Sequence, residues 1–324
     1  MWAALISGKG RKGRQDRNGQ GCQRNRQSCH WQIIAFMNNG TRSSDVKSWG
    51  CDAHVHVIGD RTQYPMALER HYTPAPADTT HLLNHLISQE LGRVVIVQPS
   101  VYGADNRCLL DAITTLGPMA RGIAVLDENV SNSALMQLDS KGIRGIRLNF
   151  ESSANYQIGH LKNALRFWSS RIASFGWHIQ VYAPFEMIAL CANTIKTLPT
   201  SLVLDHFALW PATRSENSLE KSVIDLLAEG HIYIKLSASY RLTSWTESNL
   251  QELSHQLVKT NPEQLLWGSD WPHTNREYGL DRYSVSRYRD IKSEQLLNER
   301  LKWLPTAELQ HQVMVSNAAK LYGY

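Results

Sequence analysis

From residue 50 onward, eight short runs rich in β-branched residues alternate with longer helical patterns, and this alternation constrains the fold of the 324-residue chain more than any other feature. The runs are Cys51–Val57, Arg93–Gln98, Gly122–Leu126, Ile143–Asn149, Trp177–Tyr182, Leu202–His206, His231–Leu236 and Gln264–Asp270. Val94-Val95-Ile96-Val97 shows their character: a near-continuous apolar run is what a strand covered on both faces looks like. Parallel strands need crossovers, and helical patterns over Thr80–Leu91, Arg107–Leu116, Asn132–Lys141, Gly159–Phe175, Phe185–Thr197, Leu219–Glu229 and Asn249–Thr260 supply them. Eight strands in strict alternation over about 275 residues predict an α/β protein, a (β/α)8 TIM barrel over residues 50–324. A doubly wound open sheet is the other arrangement, but no Gly-rich phosphate turn follows the first strand.

The net charge of +5 invites a nucleic-acid partner, yet its location argues against one. Lys9, Arg11, Lys12, Arg14, Arg17, Arg24 and Arg26, opposed only by Asp16, crowd into the first 30 residues and leave the rest close to neutral. No window approaches the roughly eighteen apolar residues of a membrane span, so no membrane partner is expected. Five scattered cysteines without a C-x-x-C pair fit a reducing cytoplasm better than a disulfide framework or a structural zinc site. Residues 1–49, rich in Gly, Arg, Gln and Asn, bury too little apolar surface to offset their ordering entropy. They are expected to form a disordered basic extension: a translated upstream region with the natural start near Met37, a targeting peptide, or an arm for an acidic partner. The first of these fits the composition best.

In such barrels chemistry gathers at the C-terminal strand ends. Polar residues are odd there for a core, and this chain has them at nearly every strand. His54 and His56 share one face of the first strand, because alternate side chains point the same way, while Ala53, Val55 and Val57 face apolar packing on the other. Ser100 and Tyr102 follow the second, Arg147 and Asn149 end the fourth, and Tyr182 ends the fifth. Asp205-His206 ends the sixth, Lys235, Ser237, Tyr240 and Arg241 come from the seventh, and Asp270 closes the eighth. Each has an ordinary reading alone: Arg147 paired with Glu151, Lys235 with Asp205, His206 satisfied in the core. Convergence on one rim makes a functional pocket the better reading.

Asp52-Ala53-His54-Val55-His56, Leu204-Asp205-His206-Phe207 and Leu266-Trp267-Gly268-Ser269-Asp270-Trp271-Pro272-His273 resemble the amidohydrolase superfamily, in the amidohydrolase-related branch that includes 2-pyrone-4,6-dicarboxylate lactonases. The resemblance implies a hydrolase that opens a lactone ring. On that reading Asp270 is expected to act as general base on water, His54, His56 and His206 to polarise the carbonyl, and Arg147 and Arg241 to hold a substrate carboxylate with Ser100, Tyr182, Tyr240 and Asn149 in support. Metal-dependent members add a fifth-strand histidine and a fourth-strand lysine or acid, where this chain has Tyr182 and Arg147. Both a metal-free site and a zinc held by His54, His56, His206 and Asp270 are therefore open, the first being the better fit.

The lactonases tend to carry further arginines after the fourth and sixth strands. Here those loops read Phe150-Glu151-Ser152-Ser153 and Phe207-Ala208-Leu209-Trp210, so a less acidic, monocarboxylate lactone is expected. The competing readings are a metal-dependent decarboxylase or other zinc amidohydrolase, and a non-catalytic barrel that binds a small carboxylate. The oligomeric state is left open.

Overall fold

The computed structural model describes residues 50–150, 157–212 and 218–324, so the extension expected over residues 1–49 lies outside them. Eight parallel strands follow one another around the sheet in chain order: β1 (Cys51–Val55), β2 (Arg93–Val97), β3 (Ala120–Ala124), β4 (Ile143–Asn149), β5 (His178–Tyr182), β6 (Leu202–Leu204), β7 (Ile232–Ser237) and β8 (Leu265–Gly268). The ring closes just past the end of β8, where Asp270 N–H donates to His54 O (2.9 Å) and His56 N–H to Trp271 O (2.7 Å). The predicted barrel is the observed fold. Helices α1 (Thr79–Ser88), α2 (Arg107–Leu116), α3 (Asn132–Ser140), α4 (Ile158–Ile172), α5 (Phe185–Leu190), α6 (Ala192–Ile195), α7 (Ser218–Ala228) and α8 (Glu247–Thr260) form the crossovers. Side-chain oxygens of Asp78, Ser131 and Thr246 cap α1, α3 and α8, where helix-terminal N–H groups would otherwise lack partners.

Two apolar cores arise because the strands bury both faces. One lies between strands and helices and includes Val55, Val57, Ile96, Leu82 and Leu86. The other fills the barrel's lower interior with Cys51, Ala53, Val95, Val97, Tyr233 and Leu266, and Tyr322 near the C-terminus packs against it. Ala53 departs from simple alternation, which would face it away from the barrel with Val55 and Val57. It lies in the inner core instead, because the β1–β2 register shifts between Asp52 and Val55. The shift turns both Ala53 and His54 inward.

Several strands end earlier than their apolar runs, and the segments beyond them build the rim. After β6, His206, Phe207, Ala208 and Leu209 all take left-handed φ angles (51°, 53°, 55° and 48°) without a glycine among them. Such a turn costs L-residues roughly 1–2 kcal/mol each, so the surrounding packing must impose it. Asp270 (φ 61°) and His273 (φ 65°) are left-handed as well. Gly268 matters for a different reason: a Cβ there would lie 2.7 Å from His54 Cβ, so only glycine lets β8 approach β1 beside the first histidine.

The buried Asp52 carboxylate ties these elements together. Its Oδ1 accepts from the backbone N–H of His54 (3.2 Å) and of Ser269 (2.9 Å), while Oδ2 lies 3.2 Å from His85 Nε2 on α1. Beyond β8 a long segment returns over the rim before helix α9 (Ser293–Trp303). Val285–Ser286 pairs in parallel with Thr73–Pro74, and Thr73 Oγ1 donates to Arg282 O (2.6 Å), which docks that segment on the loop after β1. No helix among the described residues is long and apolar enough to cross a membrane.

Candidate active site

The strand ends bring His54, His56, His206 and Asp270 to one buried point. Asp270 Oδ1 lies 3.4 Å from His56 Nε2, 3.6 Å from His54 Nε2 and 4.0 Å from His206 Nε2. The far nitrogen of each ring is engaged. His56 Nδ1–H donates to Val97 O (2.8 Å), which leaves a lone pair on Nε2. His206 Nδ1 meets Ser237 Oγ at 2.9 Å, and His54 Nδ1 lies 3.2 Å from Asp205 Oδ1. Burial lowers the pKa of His206 to about 3 and, with the nearby Lys235 ammonium, holds that of His54 well below the usual imidazole range.

Burial alone would push the Asp270 carboxyl up. The Arg241 guanidinium and the histidines outweigh it and hold the pKa well below the usual carboxylate range. Arg241 does so at close range: Nε and Nη2 donate to Asp270 Oδ2 at 2.9 and 2.7 Å, and Tyr240 OH donates to the same oxygen at 2.8 Å. Three donors on Oδ2 leave Oδ1 to face the histidines. Asp270 Oδ1 and His54 Nε2 are buried without a hydrogen-bond partner among the described residues.

Acceptors that converge in this way repel one another unless a proton donor or a cation lies between them. Four zinc ligands at tetrahedral bond lengths stand about 3.3 Å apart, and His54, His206 and Asp270 each bring a donor atom within 4.8 Å of the other two. Imidazole and carboxylate are also zinc's ordinary ligands. The donor set His54, His206 and Asp270 therefore suits a zinc ion, with His56 Nε2 beside it at 3.4 Å from Asp270 Oδ1.

Beneath His54 lies a buried polar floor. Lys235 Nζ donates to Gln180 Oε1 (2.7 Å) and lies 3.4 Å from Asp205 Oδ1, and Gln180 Nε2 donates to Asp205 Oδ2 (3.1 Å). The ion pair between Lys235 and Asp205 considered from sequence is thus present. Arg147 Nη1 donates to Gln98 O (3.1 Å), and Nη2 lies 3.8 Å from Asp205 Oδ2. Glu151, the other partner considered for Arg147, lies outside the described residues.

Above the histidines opens a cavity of ≈ 300 Å³. Ser100, Arg147, Asn149, Tyr182 and Arg241 line it with His56 and His206, so these residues share one space. Tyr240 and Asp270 stand behind Arg241 instead, and His273 lies against Tyr240 (ring centroids 6.1 Å apart). The expectation of few guanidinium groups is corrected: Arg276 and Arg289, from the segment after β8, also line the cavity, together with His71 and Tyr72 from the loop after β1. The family resemblance points only to the loops after β4 and β6 for such arginines. Arg147, Tyr182, Arg241, Tyr240 and Arg289 form an alternating series of cations and rings along the rim, with guanidinium-to-ring distances of 5.1–6.0 Å.

Fold and site together define a hydrolase of the (β/α)8-barrel type, and the amidohydrolase family (Amidohydro_2) matches residues 51–324. The chain belongs to that family and is a hydrolase. Among curated relatives, it is 32% identical over 289 residues to a 2-pyrone-4,6-dicarboxylate hydrolase of Comamonas testosteroni, covering 84% of this chain and 89% of that one. It is 28% identical over 278 residues to a 4-sulfomuconolactone hydrolase of Rhizobium radiobacter, with the same coverages. Among solved structures, a probable 2-pyrone-4,6-dicarboxylic acid hydrolase from Acinetobacter baumannii with citric acid bound superposes with a TM-score of 0.72 at 25% identity, covering 85% of this chain and 99% of that one.

Proposed function

We propose that this chain hydrolyses the ring ester of a small carboxylated lactone. The observation that carries the reading is the bare, buried Oδ1 of Asp270, ringed by three imidazoles of which those of His56 and His206 line an arginine-walled cavity. The names of the two curated relatives above, hydrolases of a pyrone dicarboxylate and of a sulfomuconolactone, support hydrolysis over decarboxylation and over a purely binding role.

In this mechanism the substrate carboxylate lies against Arg147, with Ser100, Asn149 and Tyr182 around the ring. Its lactone carbonyl points down at the histidine cluster. Asp270 Oδ1 accepts a proton from the attacking water as the new C–O bond forms, and the histidines stabilise the developing oxyanion. Collapse breaks the ring C–O bond, and the proton held by Asp270 passes to the departing ring oxygen. The products are one carboxylic acid, which releases its proton to solvent at neutral pH, and one enol or alcohol on the same chain. A zinc ion held by His54, His206 and Asp270, with His56 beside it, would supply Lewis-acid polarisation of the carbonyl and a more acidic water.

Arg241 takes a different part from the one expected of it. With Nε and Nη2 on Oδ2, it orients Asp270 so that Oδ1 faces the reacting atoms, and Tyr240 assists. Asp205 Oδ1 at 3.2 Å and Lys235 Nζ at 3.3 Å both face His54 Nδ1, and with Gln180 behind them they position the ring. We place the enzyme in the cytoplasm, where its buried thiols Cys51, Cys108 and Cys191 stay reduced. A panel of mono- and dicarboxylated lactones, followed by loss of ring absorbance, tests the reading. Turnover of at least one supports it, and failure to open any of them rejects it.

A further inference from the structure

A second cavity, of ≈ 670 Å³, opens between the turn after β7, helix α8 and helix α9, and among the described residues it shares none of its lining with the substrate cavity. Tyr240 and Arg241 separate the two. Arg241 lines the first and Tyr240 the second, yet both donate to Oδ2 of Asp270. The second cavity also reaches the left-handed turn after β6. Trp303 in its wall meets the Phe207 ring (centroids 5.0 Å apart), and Trp245 Nε1 donates to Trp210 O at the end of that turn (2.9 Å). An occupant would therefore bear on the supports of both Asp270 and His206.

The chemistry of the wall selects the occupant. Leu242, Leu250 and Trp303 are buried and Trp245 is half-buried, which gives the cavity an apolar, aromatic side. Its charged groups are Glu247, Lys302 and Glu299. Glu247 pairs with Lys302, whereas Glu299 pairs with no cation among the described residues. Ser239 Oγ and Gln295 Nε2 donate to Glu299 Oε1 at 2.8 and 3.1 Å, and Oε2 has no hydrogen-bond partner among the described residues. A half-buried carboxylate without a counter-ion, beside tryptophan rings, suits an organic cation: the ammonium bonds the carboxylate and is drawn to an indole face. The volume is ample for one aromatic ring on a short alkyl chain. The same carboxylate repels the anions that the arginine-walled cavity attracts.

We propose that this cavity is a regulatory site for an aryl-alkyl ammonium compound, which sets its ammonium on Glu299 and its ring against Trp245 and Trp303, and which raises turnover by holding Tyr240 on Asp270. Only the effect on turnover rests on the lactone-hydrolase reading. Phenethylammonium is the probe, and 2-phenylethanol is its neutral counterpart. Calorimetric titration of the full chain should show one ammonium per chain, bound about 10- to 100-fold more tightly than the alcohol, the range for a hydrogen bond to a charged group. Isophthalate, a ring dicarboxylate suited to the arginine-walled cavity, should not displace it.

Glu299→Gln should bring the ammonium down to the affinity of the alcohol. Gln295→Lys, at an exposed position one turn earlier on α9, gives Glu299 an internal cation and should do the same. Saturating phenethylammonium should raise the kcat of the parent chain at least about twofold, and it should bind Tyr240→Phe without raising the lower kcat of that variant. Equal affinity for ammonium and alcohol, displacement by isophthalate, or parental affinity in both charge variants overturns the site. Binding with unchanged kcat in the parent chain overturns the link to Asp270. Charge-selective binding in a chain that opens no lactone supports the site while rejecting the hydrolytic reading.

Discussion

Replacing Arg241 by Met separates two roles that the residue could play, because its nitrogens are shared between a buried carboxylate and a substrate cavity. In the structure Nε and Nη2 lie 2.9 and 2.7 Å from Asp270 Oδ2, and the carboxylate is fully buried. Taking one partner from a buried pair costs about 3–5 kcal/mol, and the partial exposure of Arg241 argues for the lower end. Part of that loss is capped, because without Arg241 burial raises the Asp270 pKa and the carboxyl can take up a proton instead. Urea unfolding should therefore show a loss of about 3 kcal/mol. In steady-state assays at neutral pH, kcat should fall by about 100-fold or more while KM changes by a few-fold, since the loss is in the group that accepts the proton. Tyr240→Phe, which removes one donor from the same oxygen, should move kcat in the same direction by less. The reverse pattern in Arg241→Met, a large rise in KM at unchanged kcat, would refute this reasoning and return Arg241 to the role of substrate clamp.

Gly268→Ala should give a folded chain with kcat reduced by at least about tenfold, because the added Cβ displaces His54 and a small misplacement of a reacting group is expensive; parental kcat would contradict the close approach of β8 to β1. Burial pushes the Cys108 thiol from 9.0 up to about 11, so the unfolded chain gives up this proton first and stability should fall as pH rises through that interval. The loss is on the order of 2 kcal/mol from this thiol, measurable by urea unfolding, and alkylation at pH near 8 should label Cys108 only after unfolding. Zinc titrated into metal-free protein should bind one ion per chain, with binding lost in His206→Ala; no binding in the micromolar range would exclude the fit of this donor set.

Much of the fold and of the central cluster was legible because both depend on short-range pattern. An apolar run such as Val94–Val97 is what a strand covered on both faces looks like, and the strand-end rule then placed His54, His56, His206 and Asp270 together. The strand ends themselves were not legible. Nothing in His206-Phe207-Ala208-Leu209 announces a left-handed turn, since it lacks the glycine that usually permits one and is imposed by tertiary packing. Nor does alternation reveal the register shift that turns Ala53 inward. Arg276 and Arg289 escaped for a related reason: a two-residue pairing more than 200 positions apart brings their segment over the cavity, and such a contact leaves no periodicity. The pairing of Arg241 with Asp270 was missed because strand-end spacing shows which residues reach the rim but not which of them spend their donors on one another.

The most direct test of the account is the kcat of Asp270→Asn on whichever lactone the parent chain opens, measured beside the affinity of the same variant for isophthalate. The amide keeps the shape and the neighbours of the carboxylate but accepts no proton from water. The account predicts a fall in kcat of about 100- to 10,000-fold with isophthalate affinity within a few-fold of the parent. Turnover at the parental rate would contradict it.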